Sequence, residues 1–247
     1  MSRLASAAVQ LSGPALLVIA VGVLSTLVGP STEIYFLNAL VAVAIVVAIY
    51  VFVGNSGVLS FGQISFVAVG AFAAGVMSVP VESKLAVLPD AFPFLRENTV
   101  GNVPSLLIAA GVGGVFALLV GIPLLRLSGL AAGIATFAVL EITQNVLREW
   151  TKIGPGATVL SLVPETTRAL QATVGALVVI VVAFAYQRSR FGRQMRASRD
   201  DAFAAEGTGI NIHLQRLVAF TLSGVLAGFA GGLLVHLLGS IETRQVY

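Results

Sequence analysis

Long apolar runs separated by short polar segments dominate the pattern of this chain. Each run has the roughly 17–25 residues that a helix needs to cross the hydrocarbon core of a bilayer. The runs are 13–29, 34–53, 57–79, 103–125, 129–150, 171–187 and 214–238. Polar residues do not alternate with apolar ones inside them, which excludes strands. The pattern therefore predicts an all-α membrane protein, a polytopic bundle of about seven transmembrane helices that forms one domain over residues 1–247.

Composition agrees with a membrane protein and narrows the classes of function. Of the 247 residues, 57% are hydrophobic and only 10% are charged, whereas a soluble domain carries about 25% charged residues. The chain has no cysteine, which excludes disulfides and cysteine-ligated metals. Its two histidines, His213 and His236, are far apart in the sequence, so we predict no metal site. Residues 1–12 lack a small-residue cleavage site, and we expect the first apolar run to be retained as a helix.

The only extended polar stretch in the second half of the chain is the basic segment 188–213. Arginine is costly to place in lipid and accumulates in cytoplasmic loops, so we predict that this segment lies in the cytoplasm. Its arginines are Arg188, Arg190, Arg193, Arg196 and Arg199. Alternation of the spans then places the amino terminus, residues 54–56 and residues 126–128 on the cytoplasmic side as well. The predicted outer segments are 80–102, 151–170 and 239–247.

We predict a short helix within the basic segment. Ser198 and Asp201 have the S-x-x-D spacing of a capping box, which would start a helix, and Gly209 and Asn211 tolerate the left-handed backbone that can end it. Small side chains would share one face at spacings of three and four: Ala204, Ala205 and Thr208. Two interpretations remain open, a docking helix for a soluble partner or a solvated loop whose arginines only determine topology.

The first interrupted apolar run, residues 54–65, is rich in glycine and polar residues. Irregular backbone at membrane depth is tolerated only where protein or water satisfies its polar groups. One interpretation is a tight helical hairpin packed through small residues. The other is a broken helix that lines a translocation path, in which case the candidate substrate-pathway residues are Asn55, Ser60 and Gln63.

The second interrupted run, residues 127–145, contains Glu141, the only acid well inside a predicted span. A charged side chain at the bilayer centre costs about 2.5–3.5 kcal/mol on insertion scales. Glu141 should therefore face the bundle interior, be protonated or pair with another group. It is either a polar contact between helices or a pathway residue. The candidate pathway residues of this run are Thr136, Glu141, Gln144 and Asn145.

Three segments of the chain resemble the permease subunits of ABC importers of the branched-chain amino acid type. RSRFGRQMRASRDDAFAAEGTGIN is similar to that family's cytoplasmic loop, and its A-A-x-x-x-G coupling element falls on Ala204, Ala205 and Gly209. Phe203 stands where the element has a leading Glu. The motif G-x-x-G-x-x-S-x-G-[HQ] is matched by Gly54, Gly57, Ser60, Gly62 and Gln63. A third run, around A-I-A-T and E-I, is matched by Ser128, Gly129, Ile134, Ala135, Thr136, Glu141 and Ile142.

This resemblance implies a permease subunit of an ATP-driven importer for branched-chain or other hydrophobic amino acids, in the inner or plasma membrane of a prokaryote. It implies as partners a second, related permease subunit, two ATPase subunits and an external substrate-binding protein. The residues that would contact the ATPase are Arg199, Asp200, Asp201, Ala204, Ala205, Thr208 and Gly209. ATP and Mg²⁺ would bind the partner ATPase, because this chain has no G-x-x-x-x-G-K-[ST] loop. We expect no catalytic residue.

Other functions compete with this interpretation. A urea or short-amide importer permease shares the same scaffold. A proton-coupled secondary carrier could use Glu141, although the chain offers no second intramembrane acid. A membrane scaffold without transport is a third alternative. Family members usually continue past the last apolar run with another glycine-rich span, whereas this sequence stops at Tyr247, so we expect a divergent member, a truncated one or a fragment.

Overall fold

The structure is a computed structural model that describes residues 3–127 and 129–242. Side chains are described from Val9 onward, apart from those of residues 128–130. The resemblance at Ser128 and the predicted outer end at 243–247, including Tyr247, lie outside the described residues. Within them the chain forms α-helices and connections without a β-strand, which confirms the prediction of an all-α bundle.

The helices follow one another with short connections. In chain order they are α1 (Arg3–Leu27), α2 (Pro30–Ser56), α3 (Ile64–Ser78), α4 (Val81–Val87), α5 (Pro93–Glu97), α6 (Asn102–Leu124), α7 (Gly129–Glu149), α8 (Ala169–Arg188), α9 (Arg190–Asp200), α10 (Ala202–Gly207) and α11 (Ile212–Leu238). A 3-10 turn, Phe61–Gln63, leads directly into α3.

Six helical segments of the described chain are long and apolar enough to cross a membrane. They are Val9–Leu27, Pro30–Ser56, Phe61–Ser78, Asn102–Leu124, Ala169–Arg188 and Ile212–Leu238. The predicted run 129–150 does form a helix, α7, but α7 is not among these six. Its second half carries the charged residues Glu141, Arg148 and Glu149. A membrane crossing by α7 therefore stays a prediction.

The centre of the bundle is α11, which packs against α2, α3 and α6. Glycines allow these backbones to approach closely. The backbone of Gly228 lies against Gly70 of α3 on one side, and a Cβ on Gly113 of α6 would lie 2.9 Å from Gly228 Cα. Close approach of this kind gives extended van der Waals contact, which is how helices associate in lipid. The carbonyl of Gly224 also lies 2.7 Å from where a Gly113 Cβ would be.

An aromatic cluster fixes the positions of α2 and α3 on α11. The Phe220 ring of α11 meets Phe52 of α2 edge to face at a centroid distance of 4.9 Å, and Phe66 of α3 at 5.2 Å. Edge-to-face geometry is favourable for aromatic pairs. By contrast, α2 and α3 hardly touch each other directly. The alternative of a tight hairpin between these two helices is therefore wrong, because α11 lies between them.

The connections gather at two opposite ends of the bundle. At the basic end, Arg188 donates to Gln10 Oε1 at 2.7 Å and joins the start of α1 to the end of α8. At the other end, Leu160 and Ile241 form an isolated antiparallel bridge, and the Phe92 amide donates to the Lys152 carbonyl at 3.1 Å. This grouping agrees with the predicted alternation of the segments. Which end faces the cytoplasm stays a prediction.

A buried lysine holds the connection between α3 and α6 together. The side chain of Lys84 on α4 is fully buried, and its ammonium donates to the carbonyl of Leu95 at 2.7 Å and to that of Asn98. Burial lowers the pKa of Lys84, because a low-dielectric environment disfavours the charged form. Lys84 thereby joins α4 to the end of α5 with no acidic partner among the described residues.

Candidate functional site

The basic segment forms two helices, of which α9 is packed on the bundle and α10 extends from it. Ser189 caps α9, because its hydroxyl accepts from the Gly192 amide at 3.2 Å. The inward side of α9 is buried through Gly192, Met195 and Ser198. It contacts α2, α8 and α11. Gly192 is placed directly against the Tyr186 carbonyl, where a side chain would not fit.

The predicted helix start at Ser198 is wrong. Ser198 lies inside α9, where its hydroxyl donates to the Met195 carbonyl at 2.8 Å, which is a local bond that serine makes within helices. Asp201 is itself the cap of α10, since its carboxylate accepts from the Ala204 amide at 3.0 Å. The capping-box spacing thus coincided with a helix boundary but assigned the cap to the wrong residue.

The two predicted terminators behave differently. Gly209 follows α10 with φ +80°, in the left-handed region that favours glycine. Asn211 has φ −79° and does not end a helix. It caps α11 instead, because its side chain accepts from the Leu214 amide at 3.0 Å. The prediction for Asn211 is therefore wrong, since asparagine serves equally well as an N-cap.

The prediction that Ala204, Ala205 and Thr208 share one face is wrong. Ala205 is only 5% exposed, on a helix that contacts α9 and α11, whereas Ala204 and Thr208 are exposed. The Ala205 carbonyl also accepts from the Thr208 hydroxyl at 2.8 Å. The largest outward group on α10 is Phe203, which is 90% exposed. In the sequence, Phe203 stood out only as a departure from the coupling element.

Arg196 of α9 reaches the ends of two membrane helices at once. One of its terminal nitrogens donates to Asn55 Oδ1 at 3.0 Å, and the other donates to the Gln187 carbonyl at 2.8 Å. Asn55 lies in the last turn of α2, and Gln187 lies in the last turn of α8. The planar fork of a guanidinium suits two acceptors in fixed directions.

Arg199, one turn further along α9, contacts the same part of α2. It donates to the Gly54 carbonyl at 2.9 Å. Its methylene stem lies beside Gly57, where a Cβ would be 2.8 Å from Arg199 Cγ. Arg199 also pairs with Asp200 at 3.3 Å, an exposed pair of the kind that adds little stability.

Asn55 was predicted on the substrate pathway, and the structure places it beside the basic segment. Its side chain is 2% exposed, and its amide nitrogen donates to the Val51 carbonyl at 2.9 Å within α2. Its oxygen accepts from Arg196. One residue of the predicted pathway set thus contacts α9, the helix that contains the first residues of the predicted coupling set, and no local pattern indicated this contact.

Ser60 and Gln63 lie beyond the end of α2, at the 3-10 turn that leads into α3. Gln63 Oε1 lies 2.8 Å from the Ser223 hydroxyl of α11, and that hydroxyl lies 2.7 Å from the Ala48 carbonyl of α2. The Gln63 amide nitrogen and the hydroxyls of Ser60 and Ser65 are buried and have no hydrogen-bond partner among the described residues. Buried polar atoms without a hydrogen-bond partner are rare in folded proteins, so their concentration here indicates a functional site.

Thr136 connects α7 to the same segment. Its hydroxyl accepts from the Phe61 amide at 3.2 Å and donates to the Gly133 carbonyl at 2.7 Å. Gly62 lies close to the Thr136 backbone, because a Cβ there would be 2.6 Å from the Thr136 carbonyl oxygen. The structure therefore brings Ser60, Gln63 and Thr136 into one region, as a common pathway requires.

Glu141, Gln144 and Asn145 lie further along α7, away from this region. Glu141 and Asn145 are exposed and Gln144 is half-buried. The Asn145 amide nitrogen donates to the Glu141 carbonyl at 2.8 Å within its own helix. Of the three alternatives predicted for Glu141, the structure excludes the one in which it faces the interior of this chain, because Glu141 is exposed and the inward stripe of α7 consists of other residues. Those residues are Ala132, Thr136, Thr143 and Leu147.

Arg216, which lies in the second turn of α11, was not among the predicted site residues. Its Nε atom is buried and has no hydrogen-bond partner in the described part of the chain. Together with Val58, Thr136 and Phe220, Arg216 lines a small cavity next to the irregular residues 57–60. The position of an arginine just inside a long apolar run was the pattern that could have identified it.

Comparison with known proteins agrees with the resemblance seen in the sequence. Residues 31–246 match the family described as the permease component of branched-chain amino acid transport systems. The high-affinity branched-chain amino acid transport system permease protein LivM of Escherichia coli K12 is 25% identical over 229 residues. That alignment covers 79% of this chain and 50% of LivM, so the chain spans half the length of that relative.

Two further relatives match over shorter regions. The autoinducer 2 import system permease protein LsrC of Escherichia coli O9:H4 is 27% identical over 121 residues, 45% of this chain and 34% of LsrC. The probable ABC transporter permease protein YphD of Escherichia coli K12 is 42% identical over 71 residues, 27% of this chain and 21% of YphD. No solved structure matches the chain.

Proposed function

Because the chain belongs to the family of permease components of branched-chain amino acid transport systems, we propose that it is a permease subunit of an ATP-driven ABC importer. The proposed substrates are branched-chain or other hydrophobic amino acids. The observation that carries the proposal is the pair α9–α10, a helical unit outside the membrane spans that presents an exposed aromatic side chain. The relatives LivM, LsrC and YphD, all described as permease proteins, support the same class.

The proposed ATPase contact is the outward surface of α10 and the end of α9. Phe203 extends into solvent beside the small side chain of Ala204, so an apolar groove on a partner could receive the ring while the backbone approaches closely. Exposed polar groups surround this pair and would orient the partner: Asp200, Asp201 and Thr208. Arg199, which the resemblance assigns to the same surface, would act through α2 instead, because its guanidinium donates to the Gly54 carbonyl. Ala205 would contribute from beneath by fixing α10 on the bundle, and Gly209 by turning the chain toward α11.

The proposed pathway lies on the α7 side of the bundle, where a second permease subunit would complete it. An exposed acid on a helix that crosses a membrane is costly unless another protein or water surrounds it. The face of α7 that contains Glu141 and Asn145 is uncovered in this chain, and we propose that it faces the second subunit. Ser60, Gln63 and Thr136 would then line the path near its basic end.

The remaining components follow from the class of transporter. ATP and Mg²⁺ would bind the two ATPase subunits, and an external binding protein would deliver substrate at the end opposite α9–α10. The proposed location is the inner or plasma membrane of a prokaryote, with the amino terminus in the cytoplasm. These assignments are supported by the arginine distribution and by the family.

Docking through α10 is tested by the variant Phe203→Ala. Burial of a phenylalanine side chain contributes about 1.5–3 kcal/mol, and each 1.4 kcal/mol is about a tenfold change in affinity. We expect Phe203→Ala to weaken ATPase binding at least about tenfold, measured by co-purification and by titration of the reconstituted permease with ATPase.

The matched control removes another exposed phenylalanine at the same end of the bundle. Phe191→Ala changes the side chain of α9 that is 44% exposed, and it should leave ATPase binding at the parental level. Parental binding by Phe203→Ala, or equal losses in both variants, would contradict docking through α10.

A further inference from the structure

We propose that Arg196 and Arg199 are positioning residues that fasten the interrupted segment 54–60 to α9, so that a displacement of α9 and α10 moves that segment. The inference rests on the proposed function, since it names the contacts through which movement of an ATPase would reach the membrane helices. Neither arginine needs to contact the ATPase or the substrate for this role.

The first contact is at the carboxyl end of α2. A helix leaves its last carbonyls without partners inside the helix. The Gly57 amide donates to the Val53 carbonyl at 3.0 Å, and Arg199 donates to the Gly54 carbonyl at 2.9 Å. A cation at this end also interacts favourably with the helix dipole. Gly57 has φ +69° and no side chain, which leaves room for the arginine stem against the turn.

The second contact joins α9 to two helices. Arg196 donates to the Asn55 side chain and to the Gln187 carbonyl, so it holds the ends of α2 and α8 at a fixed separation from α9. Both acceptors are neutral, and hydrogen bonds from a charged donor to such groups are stronger than neutral pairs. Breaking the contact would leave Asn55 Oδ1 buried without its donor.

Beyond these contacts, residues 57–60 are held by Val58, which packs against the apolar core, and by few hydrogen bonds among the described residues. Residues 57–60 have no regular secondary structure, and the Val58 amide bonds only to the Ser56 hydroxyl, at 3.1 Å. The chain is held again at Phe61, through Thr136 of α7, and at Gln63, through Ser223 of α11. A short irregular stretch between two fixed ends is the kind of element that can adopt two arrangements and transmit a displacement.

The competing explanation is that the arginines act only through their charge, by determining topology. Arg190 separates the two explanations. It lies on the same helix and is exposed, and its side chain makes no hydrogen bond to another described residue. Arg190→Ala therefore removes one positive charge from the same helix without touching α2 or α8, and its charge-matched comparison is the single variant Arg196→Ala.

The experiment uses the assembled importer in nanodiscs with a spin label on Leu59→Cys, in an otherwise cysteine-free chain. Leu59 is 69% exposed and lies within the interrupted segment. The measurements are label mobility with and without ATP, ATPase co-purification, and substrate transported per ATP hydrolysed. We expect the double variant Arg196→Ala with Arg199→Ala to keep the ATPase bound, to increase label mobility, and to lower transport per ATP at least about tenfold, as loss of the three charged hydrogen bonds to Gly54, Asn55 and Gln187 allows.

Conservative variants separate positioning from general damage. Arg199→Lys keeps one donor for Gly54 and should retain most coupling, whereas Arg196→Lys cannot reach Asn55 and Gln187 together and should resemble Arg196→Ala. If the double variant fails to accumulate, Asn55→Leu removes an acceptor of Arg196 and should increase label mobility, while Asn55→Asp keeps the acceptor and should not.

Three results would overturn the inference. Parental mobility and coupling in the double variant would show that the contacts are dispensable. Equal losses in Arg190→Ala and in the single variant Arg196→Ala would assign the effect to charge alone. Loss of ATPase binding in the double variant would place the two arginines in the docking surface, which leaves the proposed function intact but removes their positioning role. Failure of the proposed function itself would appear separately, as absence of ATPase binding by the parent.

Discussion

At the scale of single residues, Arg196 and Asn55 are 141 positions apart in the sequence and 3.0 Å apart in the structure. Each residue type was informative by itself, because an arginine cluster indicates topology and an amide in an apolar run indicates a polar contact. Their pairing was not predictable, since it depends on where α9 folds back. Charged hydrogen bonds of this kind contribute about 1.5–3 kcal/mol, enough to matter for a segment with few other hydrogen bonds among the described residues.

Glu141 shows the limit of a residue rule that considers one chain. The cost of an intramembrane charge predicts that the side chain faces the bundle interior, is protonated or pairs with another group. The side chain is exposed on α7 instead. The rule applies to the whole assembly in the membrane, so the proposed second permease subunit is where a partner or a water-filled path for Glu141 would lie.

Lys84 gives a prediction about pH at this scale. Burial lowers its pKa in the folded chain below the ordinary value of 10.5. Between these two pKa values the unfolded chain binds more protons than the folded chain, so stability increases as pH rises through that window. Lys84→Met removes the donor to Leu95 and Asn98 and leaves their carbonyls unpaired, at a cost of about 1–3 kcal/mol. We expect the variant to unfold at a lower temperature, and the difference from the parent to grow as pH approaches 10.5.

The control for Lys84 is Lys152→Met, which changes an exposed lysine in the connection between α7 and α8, at the same end of the bundle. The thermal midpoint of unfolding is measured for all three proteins in detergent at several pH values. A difference between the parent and Lys84→Met that stays constant with pH would contradict a lowered pKa, and a parental midpoint at every pH would contradict the structural role.

At the scale of elements, the apolar runs predicted the long helices well because lipid demands a continuous apolar surface. Some helices extend past the runs, as α1 does by starting at Arg3, since a helix continues into water wherever its backbone bonds are favourable. By contrast, α3 begins only at Ile64, inside the run 57–79. α9 was not predicted, because it lacks the continuous apolar surface of the membrane helices. Its buried side consists of only Gly192, Met195 and Ser198, too few positions to give a recognisable apolar period among five arginines.

Gly228 gives a prediction about helix packing. A Cβ at this position would overlap the Ala109 carbonyl and lie 3.1 Å from Gly113 Cα. Both neighbours are backbone atoms, which cannot rotate away, and overpacking costs about 1–3 kcal/mol. We expect Gly228→Ala to lower the thermal midpoint of the purified protein.

Gly133→Ala is the matched control for Gly228→Ala. Gly133 is also helical, and a Cβ there would meet nothing within 4 Å. Alanine is favoured over glycine in a helix by up to about 1 kcal/mol, so this variant should be neutral or more stable. A midpoint for Gly228→Ala at or above that of Gly133→Ala would show that α11 and α6 are not in close contact.

At the scale of the whole molecule, the arginine distribution makes a prediction about orientation. Phe94 on α5 and Glu206 on α10 are exposed at opposite ends of the bundle. In cells that produce the chain without its ATPase, Phe94→Cys should react with an impermeant thiol reagent from outside. Glu206→Cys should react only after permeabilisation, because arginines restrain that end in the cytoplasm. The reverse labelling pattern would overturn the orientation, and labelling of both from outside would contradict the bundle's alternation.

The sequence by itself determined the class of the fold, the positions of most spans and the grouping of their ends, because these depend on local apolarity and charge. The tertiary structure decided which polar residues meet. It placed Ala205 inward and Phe203 outward on α10, left Glu141 uncovered, and joined Arg196 and Arg199 to the end of α2. Such contacts depend on how separate helices pack around the glycines of α11, and no local pattern contains that information.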